Sequence, residues 1–578
     1  MLHVFGFYLM LSFFACKKDT NTKPVPNPGT KPTERDTQQI KPQTDPALAA
    51  TIGFFMDHWK EKTFIVPSVV TSSAPAASTS VTVSVDRSQV LSKVPPTLFG
   101  NNANTWMTQI INQPVLINHL TQNKPGFIRF PGGSISDLFF WNALPNQPPA
   151  TAPDKLLNAD GAAVDPGYWY GKNTAEWTLS VDNYYTLLAQ TGNKGLITIN
   201  YGYARYGTGA NPVADAAHLA ADWVRYDNGR TQYWEIGNEN FGNWEAGYRI
   251  KTTNNKDNQP EFLTGQLYAR HFKVFADSMK KAATEINKTI YIGAVIVETA
   301  AANWETNTFK TWNQGAIPEF NNVPDFYVIH SYYTPYQVNS TAPEILATGS
   351  SVTKSNMQFV KQQLQTYGAT EKPIALDEWN IFATGSKQMV SHISGLHASL
   401  VLSELLKQRF GFAARWDLAN AWENGNDHGW FSQGDEPDGI PKWTPRPAFF
   451  HMYFFQKVLG DRTISANSSH PSIEAYASSF SSGEVGMVLV NTAAGSLSVD
   501  VQISNFLKGN RFFWYTLSGG TDNGAFSRKV VVNGVGPVLA AGGPENYLSL
   551  APYAASTGNG IKVPIPGFSA VYLVVEKK

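Results

Sequence analysis

From residue 81 onward, short apolar runs alternate with longer stretches in which apolar residues recur every three or four positions. Residues 81–85 alternate apolar and polar with period two, as a half-buried strand does. Eight further apolar runs follow, at 97–100, 126–130, 195–200, 233–237, 290–295, 325–330, 373–376 and 411–416. Between them the helical period is clearest at 265–286, 355–367 and 388–408. Eight strand–helix units in one stretch predict an α/β fold, a (β/α)8 TIM barrel over 97–455. A doubly wound dinucleotide sheet is disfavoured, because no Gly-rich phosphate turn follows the first strand. After residue 455 the helical period stops. Short alternating runs separated by Gly, Asn, Pro and Ser predict a C-terminal antiparallel β-sandwich over 456–578. The strand within 81–96 precedes the barrel and is expected to join that sandwich.

The first 80 residues read differently. Val4, Phe5, Phe7, Leu9, Met10, Leu11, Phe13 and Phe14 form an apolar run that ends in Ala15-Cys16-Lys17-Lys18. It is shorter than the roughly 20 residues a membrane span needs. It is expected to be an export signal over 1–15, and it resembles a bacterial lipoprotein signal cleaved before Cys16, with lipidation of that cysteine. No Lys or Arg precedes the run, and Phe13 stands where Leu is usual; the alternative is an ordinary signal beside a chance cysteine. The expected location is therefore the outer membrane or cell surface, with membrane contact only through Cys16, or else the periplasm or medium. Residues 16–80 are expected to be a tether, rich in Pro, Thr, Asn, Gln and Lys up to residue 46 and in small residues from 72. Within it, Ile52, Phe54, Phe55, Trp59 and Phe64 mark an apolar stretch over 47–67, expected to form one helix.

Composition narrows the ligand. Lys+Arg and Asp+Glu balance at 45 each among 578 residues, so no basic face for nucleic acid is expected. Only 16% of residues are charged, against a usual share of about 25%, while 13% are aromatic. Such a chain offers flat apolar and hydroxyl-bearing faces, which suit a neutral polyhydroxylated partner such as a glycan. The single cysteine excludes an internal disulfide and a cysteine-rich metal site. No HExxH, Walker or EF-hand pattern occurs, and the acidic stretches 426–428 and 434–439 read as solvated turns. Neither a metal nor a cofactor is expected.

In such barrels the C-terminal ends of the strands carry the chemistry. The fourth strand ends in Gly237-Asn238-Glu239-Asn240 and the seventh in Asp377-Glu378-Trp379-Asn380, so Glu239 and Glu378 stand at the same mouth. Two carboxyl groups flanking one bond are what glycoside hydrolysis requires: one protonates the leaving oxygen, the other attacks the anomeric carbon or activates water. Taken singly, each reads better as a strand-end or surface carboxylate; as a pair they point to catalysis. Glu235 is expected to point into the barrel interior as a buried, hydrogen-bonded group, and Asp377 to face away from Glu378 by strand alternation.

These residues carry a resemblance to retaining glycoside hydrolases of the (β/α)8 clan. Phe127-Ile-Arg-Phe-Pro-Gly-Gly133, Ile199-Asn200, Trp234 with Gly237-Asn238-Glu239, His330-Ser331-Tyr332 and Asp377-Glu378-Trp379-Asn380 resemble, in order, motifs of the family 51 α-L-arabinofuranosidases. The resemblance implies Glu378 as nucleophile and Glu239 as acid/base, with Glu239 holding the higher pKa. It further implies that Asn238 bonds the sugar 2-hydroxyl, that Tyr332 holds Glu378, and that Arg129 keeps Glu378 ionised. Asn200 and His330 are carried over as substrate-site residues, the latter set against a plain strand-end histidine.

The sequence also departs from that pattern. Ser134 to Asp137 replaces the family's loop, and 142–177 is long and rich in Pro, Trp and Tyr. Trp379, Trp416 and Trp422 are expected to stack on sugar rings, although about half of the tryptophans near strand eight should serve packing instead. Asp417 and Glu423 either bind hydroxyls or pair with arginine. The expected function is a retaining, arabinofuranosidase-like hydrolase of plant or algal glycans. The alternatives are an endo-glucanase or xylanase on the same fold, and a surface protein that binds glycan without cutting it.

Overall fold

The computed structural model describes residues 40–50, 52–68, 78–123, 126–425 and 427–578. The stretch 1–15, expected to be an export signal, and Cys16 lie outside the described residues, as does Asn426.

Strand β1 (Val81–Lys93) comes first. Eight parallel strands then close a barrel: β2 (Gly100–Asn102), β3 (Phe127–Phe130), β4 (Lys194–Ile199), β5 (Tyr233–Ile236), β6 (Tyr291–Val295), β7 (Phe326–Tyr332), β8 (Ile374–Asn380) and β9 (Phe412–Arg415). Closure comes from β9 pairing with β2, Ala414 opposite Gly100. A Cβ at Gly100 would sit 2.5 Å from the carbonyl oxygen of Ala413, so only glycine permits that seam. Each strand is followed by a helix: α1 (Pro114–Gln122), α2 (Val181–Thr191), α3 (Pro212–Asp227), α4 (Gly265–Glu285), α5 (Asn307–Phe320), α6 (Ala342–Thr366), α7 (His392–Gln408) and α8 (Pro447–Val458).

The first strand lies slightly later than the apolar run at 97–100 suggests, because Leu98 and Phe99 are buried core residues that lead into it. Helix α6 begins 13 residues before the expected start at 355. The stretch Ala347-Thr-Gly-Ser-Ser351 dilutes the apolar period, yet Ile345, Leu346 and Gly349 still bury one face, and a Thr341/Glu344 capping box starts the helix. Helix α7 starts at His392 because Ser391 caps it, its side chain accepting from the Ser394 amide.

The stretch 47–67 differs from its expectation as tether and helix. It forms two 3-10 turns, Ala47–Ala50 and Gly53–Met56. Ile52 and Phe55 are buried against Phe127, Leu196, Tyr233, Phe326 and Phe412, and so plug the barrel's N-terminal end. The aromatic contacts there, including Phe54 stacked on Tyr291 at 3.8 Å, explain why a segment of tether-like surroundings is ordered.

The C-terminal strands β10 (Arg462–Ser468), β11 (Ile473–Ser479), β12 (Val485–Asn491), β13 (Leu497–Ser504), β14 (Lys508–Gly519), β15 (Val530–Val532), β16 (Tyr553–Ser556), β17 (Ile561–Ile565) and β18 (Ser569–Lys577) form one sheet with β1. It folds over a core that contains Val83, Val85, Ile464, Val499, Phe512, Trp514, Val563 and Leu573. The pairing is antiparallel except between β1 and β13, which run parallel from Val81/Val499 to Asp86/Ser504. This is a departure from a wholly antiparallel sandwich. It arises because β1 enters the sheet from outside the C-terminal run and is not bound by its hairpin order.

Helices α7 and α8 separate the barrel from this sheet, and polar contacts at that junction are buried. His451 Nε2 lies 3.1 Å from His392 Nδ1, His451 Nδ1 is 2.7 Å from the Tyr572 hydroxyl, and His392 Nε2 is 2.9 Å from the carbonyl oxygen of Phe568. Burial pushes His392 down to about 4 and His451 well below the usual histidine range, so both stay neutral when folded. An unfolded histidine binds its proton near pH 6.5, so the stability from this pair is complete above that pH and is lost as pH falls. Replacing His451 by Gln is expected to remove about 2 kcal/mol of the stability difference between pH 7 and pH 5. Denaturant unfolding at both pH values measures it, and an unchanged difference would show that His451 carries none of it.

Candidate active site

The site is assembled from strand ends around one guanidinium. Arg129, on β3 and fully buried, donates from Nε to Glu235 Oε2 (3.0 Å), from Nη1 to Asn102 Oδ1 and Glu378 Oε2 (both 3.0 Å), and from Nη2 to Asn238 Oδ1 (2.8 Å). Its Nε also lies 3.5 Å from Asp377 Oδ2. Burial alone would lower its pKa, but Glu235, Asp377 and Glu378 outweigh that and raise it.

The chain turns sharply after β5. Gly237 has φ 76° and would bring a Cβ to 1.9 Å from Asn240 Oδ1; Glu239 itself has φ 40°. A non-glycine residue in that region costs about 1–3 kcal/mol. The strain is offset by Asp137, whose carboxylate accepts from the Asn238 amide (3.2 Å) and from Asn240 Nδ2 (2.7 Å). The turn leaves the Glu239 carboxyl between two donors, His330 Nδ1 at 2.8 Å from Oε1 and Trp244 Nε1 at 2.9 Å from Oε2.

On β7, His330 and Tyr332 both face inward. His330 Nε2 lies 3.2 Å from Asp377 Oδ1, and its Nδ1 is 3.8 Å from Glu378 Oε2. The Tyr332 hydroxyl donates to Glu378 Oε1 at 2.7 Å. Donor atoms of Glu239, His330 and Glu378 all lie within 4.8 Å of one another. The two carboxyl groups are thus brought to one place from strands four and seven of the barrel.

Asp377 corrects the expectation from strand alternation. The β7–β8 register runs Ile329/Leu376 and then His330/Glu378, so Asp377 is an extra residue at a bulge. Asp377 and Glu378 therefore both reach Arg129 and His330, while Trp379 turns outward. Trp379 is 1% exposed in the barrel–helix core, its ring edge-on to Tyr333, and is not a sugar platform. Asn200 also stays outside the cluster. Its Oδ1 accepts from the Tyr203 amide (2.9 Å) and its Nδ2 faces the Phe139 carbonyl (3.3 Å) and the Tyr206 hydroxyl (3.2 Å), so it fixes the turn after β4. Asn238 is held at both ends, its Nδ2 donating to Glu245 Oε1 at 2.9 Å.

Trp416 follows β9 beside the site, its ring filling the space that a Cβ at Gly133 would need, 2.7 Å away. Trp422 does not join the cluster; it is half-buried, with Arg528 at 5.5 Å over its ring. That arginine, between β14 and β15, joins a largely buried ion network with the loop after β9. Arg446 pairs with Asp427 and with Glu436 (2.8 Å), and Arg528 with Glu436 (3.1 Å) and Asp438 (2.6 Å). The acidic stretches read as solvated turns are instead, at Asp427 and Glu436, charge partners that tie this loop to the C-terminal sheet. Asp417 is buried and accepts from Asn104 Nδ2 at 2.8 Å.

The electrostatics differ from the expected order. Burial raises the Glu239 carboxyl, but His330, Trp244 and Arg129 outweigh it and hold Glu239 below the usual carboxylate range. Burial, with the charge of Glu239, pushes Glu378 up despite His330, Arg129 and Tyr332. Both directions run against the expectation of a higher pKa at Glu239, since His330 Nδ1 is 2.8 Å from Glu239 and 3.8 Å from Glu378. Burial would discharge His330, but the carboxylates of Glu378, Asp377, Glu235 and Glu239 raise its pKa well above the usual histidine range. Glu235 falls to about 2, Arg129 overcoming its burial, and Asp377 rises to about 6 through burial and the Glu235 charge. Two trios, Glu235/His330/Asp377 and Glu239/His330/Glu378, have donor spacings a divalent ion would bridge. Arg129 and His330 already bring positive charge to both.

Sequence reasoning missed Glu298, Glu245 and Trp244. Glu298 follows β6 at the same mouth, and burial with the charge of Glu239 pushes it up to about 7. The rule that singled out Glu239 and Glu378, a polar residue just past a barrel strand, applies equally to Glu298.

No protein-family model matches the sequence, and no curated protein does. Among solved structures, the chain is similar to an α-L-arabinofuranosidase from Thermotoga maritima in complex with arabinose, at 17% identity and a TM-score of 0.59, over 86% of this chain and 100% of that one. The shared fold is a (β/α)8 barrel with a C-terminal β-sandwich. It is shared too with CelM2, a bifunctional glucanase-xylanase from a metagenome library (13% identity, TM-score 0.57, 86% and 99% covered). A family 44 xyloglucanase from Paenibacillus polymyxa is a third similar structure (11% identity, TM-score 0.56, 86% and 100% covered).

Proposed function

We propose that this protein is a retaining glycoside hydrolase acting on a neutral glycan. One observation carries the reading: carboxylate oxygens of Glu239 and Glu378 lie within 4.8 Å of each other at the barrel mouth. Retaining enzymes hold these groups about 5–5.5 Å apart, whereas inverting ones need about 6.5–9.5 Å to fit a water.

In this mechanism Glu378 attacks the anomeric carbon and forms a glycosyl-enzyme, while the leaving oxygen takes a proton from Glu239. Water then attacks the same carbon, Glu239 removes its proton, and the Glu378–sugar bond breaks with net retention. Tyr332 and Arg129 hold one oxygen each of Glu378 and fix its approach. His330 Nδ1, 2.8 Å from Glu239 Oε1, orients the acid and lies within proton-transfer distance of it.

The motif order supports an arabinofuranosidase-like activity, and the exposed tryptophans at the mouth favour a chain-cleaving glucanase or xylanase. Export through residues 1–15 and lipidation of Cys16 belong to the same reading, since a polymeric glycan is met outside the cell. The test is turnover of 4-nitrophenyl glycosides (α-L-arabinofuranoside, β-D-xyloside, β-D-glucoside, β-cellobioside), with the first-formed sugar followed by proton NMR. The same anomer as the substrate is expected. An inverted first product would overturn the double displacement, and no turnover of these substrates or of a polysaccharide would leave a binding protein.

A further inference from the structure

Aromatic rings are not scattered evenly around the barrel mouth. Trp416 lies edge-on to Trp106 with ring centroids 6.4 Å apart, Trp106 to Trp169 at 6.4 Å, and Trp169 to Trp177 at 6.0 Å. Along this row exposure rises from 9% at Trp416 to half-buried at Trp106 and Trp169 and 54% at Trp177. The row is continuous with the site: the Trp416 amide donates to the carbonyl oxygen of Trp379, the residue after Glu378, at 3.1 Å. It is also held in place. The loop after β3 is tied to the loop after β2 by Leu179 N to Thr105 O (2.7 Å), Thr108 N to Trp177 O (3.1 Å) and Gln109 Nε2 to Thr174 O (2.7 Å).

The row has a definite side. Glu239 protonates the leaving group, so the leaving-group side lies over β5 and β6, where Trp244 (53% exposed) and Trp304 (81% exposed) stand. Trp416 follows β9, opposite β5 in the barrel, Trp106 follows β2, three strands from β5, and Trp169 and Trp177 follow β3, two strands from β5 on the side away from β6. The part of the substrate that becomes attached to Glu378 extends that way. A tryptophan 54% exposed on a loop fixed by backbone hydrogen bonds gains little from folding alone, whereas indole faces suit the apolar faces of pyranose rings.

We propose that Trp106, Trp169 and Trp177 form a binding track for successive sugar units on the glycone side, so that the substrate is a neutral polysaccharide main chain cut several units from its end and not a single terminal sugar. The proposal rests on the hydrolase reading for its direction, since the assignment of sides follows from Glu239 as the acid.

Binding separates the two. The Glu378→Gln protein, run in native gels containing xyloglucan, mixed-linkage β-glucan or arabinoxylan, is expected to be retarded by at least one of them. Adding Trp177→Ala or Trp169→Ala should weaken that retardation about tenfold per ring, the loss of one aromatic contact. Trp177→Phe should restore most of it, which a folding defect would not. Retardation unchanged by either alanine, or absent with all three polysaccharides, overturns the track. Hydrolysis of 4-nitrophenyl glycosides by the parent protein is scored separately; its absence sinks the hydrolase reading while leaving the binding result to stand or fall alone.

Discussion

Replacing Glu378 by Ala is expected to lower kcat on any hydrolysed glycoside by roughly four orders of magnitude or more, equivalent to about 5.5 kcal/mol of barrier. The carboxylate is held from both sides, by Tyr332 at 2.7 Å and Arg129 at 3.0 Å, in a site where it is 5% exposed. Without it water must attack the anomeric carbon directly, with no covalent intermediate to divide the barrier. Sodium azide should restore part of the rate by entering the space of the lost carboxylate, giving a glycosyl azide of inverted configuration. Glu239→Gln should behave differently. With a 4-nitrophenolate leaving group, which needs little protonation, the glycosyl-enzyme should still form and its hydrolysis should become slow. Steady-state and burst kinetics on the two variants measure this, and a Glu378→Ala protein within tenfold of the parent rate would exclude that residue as nucleophile.

The second large effect is on stability. Arg129→Met is expected to cost about 3–5 kcal/mol, because it leaves buried carboxylates without their counter-charge. The side chain is fully buried, and Glu235, Asp377 and Glu378 all lie within 3.5 Å of its nitrogens. Arg129→Lys returns the charge but not the fork that reaches Glu235, Asn102, Glu378 and Asn238 together. Lys should therefore recover part of the stability and little of the activity. Urea unfolding of the three proteins, with activity under native conditions, gives both readings; a Met variant within 1 kcal/mol of the parent would show that the carboxylates do not depend on this cation.

The barrel was legible in the sequence because strand and helix periods are local properties of the chain, and eight alternations leave few other ways to bury the apolar faces. Glu239 and Glu378 were legible for the same reason: each lies just past a short apolar run in the sequence. Asp377 reads as facing away from Glu378 because an inserted residue at the β7–β8 pairing breaks the alternation, and neither strand alone shows it. Trp379 faces away from Glu378 as alternation requires, and only its position at the mouth makes it read as a sugar platform. Asn200 reads as a site residue from its position, yet its amide is used by Tyr203 and Tyr206 in the turn that follows it and by Phe139 from the loop after β3. The segment 47–67 reads as tether because nothing near it in the chain offers an apolar partner; the barrel floor that receives Ile52 and Phe55 comes from strands up to about 360 residues later.

By itself the sequence determined the barrel and its order of units, the β-rich C-terminal region, the neutral surface and the two glutamates, all of which follow from short-range periodicity and composition. Tertiary structure alone decided which groups share charge: Arg129 among Glu235, Asp377 and Glu378, His330 between Glu239 and Asp377, and Asp427 and Glu436 against Arg446 and Arg528. Burial and Coulomb interactions act through space over a few ångströms, between residues separated in the chain by tens to hundreds of positions, and no local pattern encodes them.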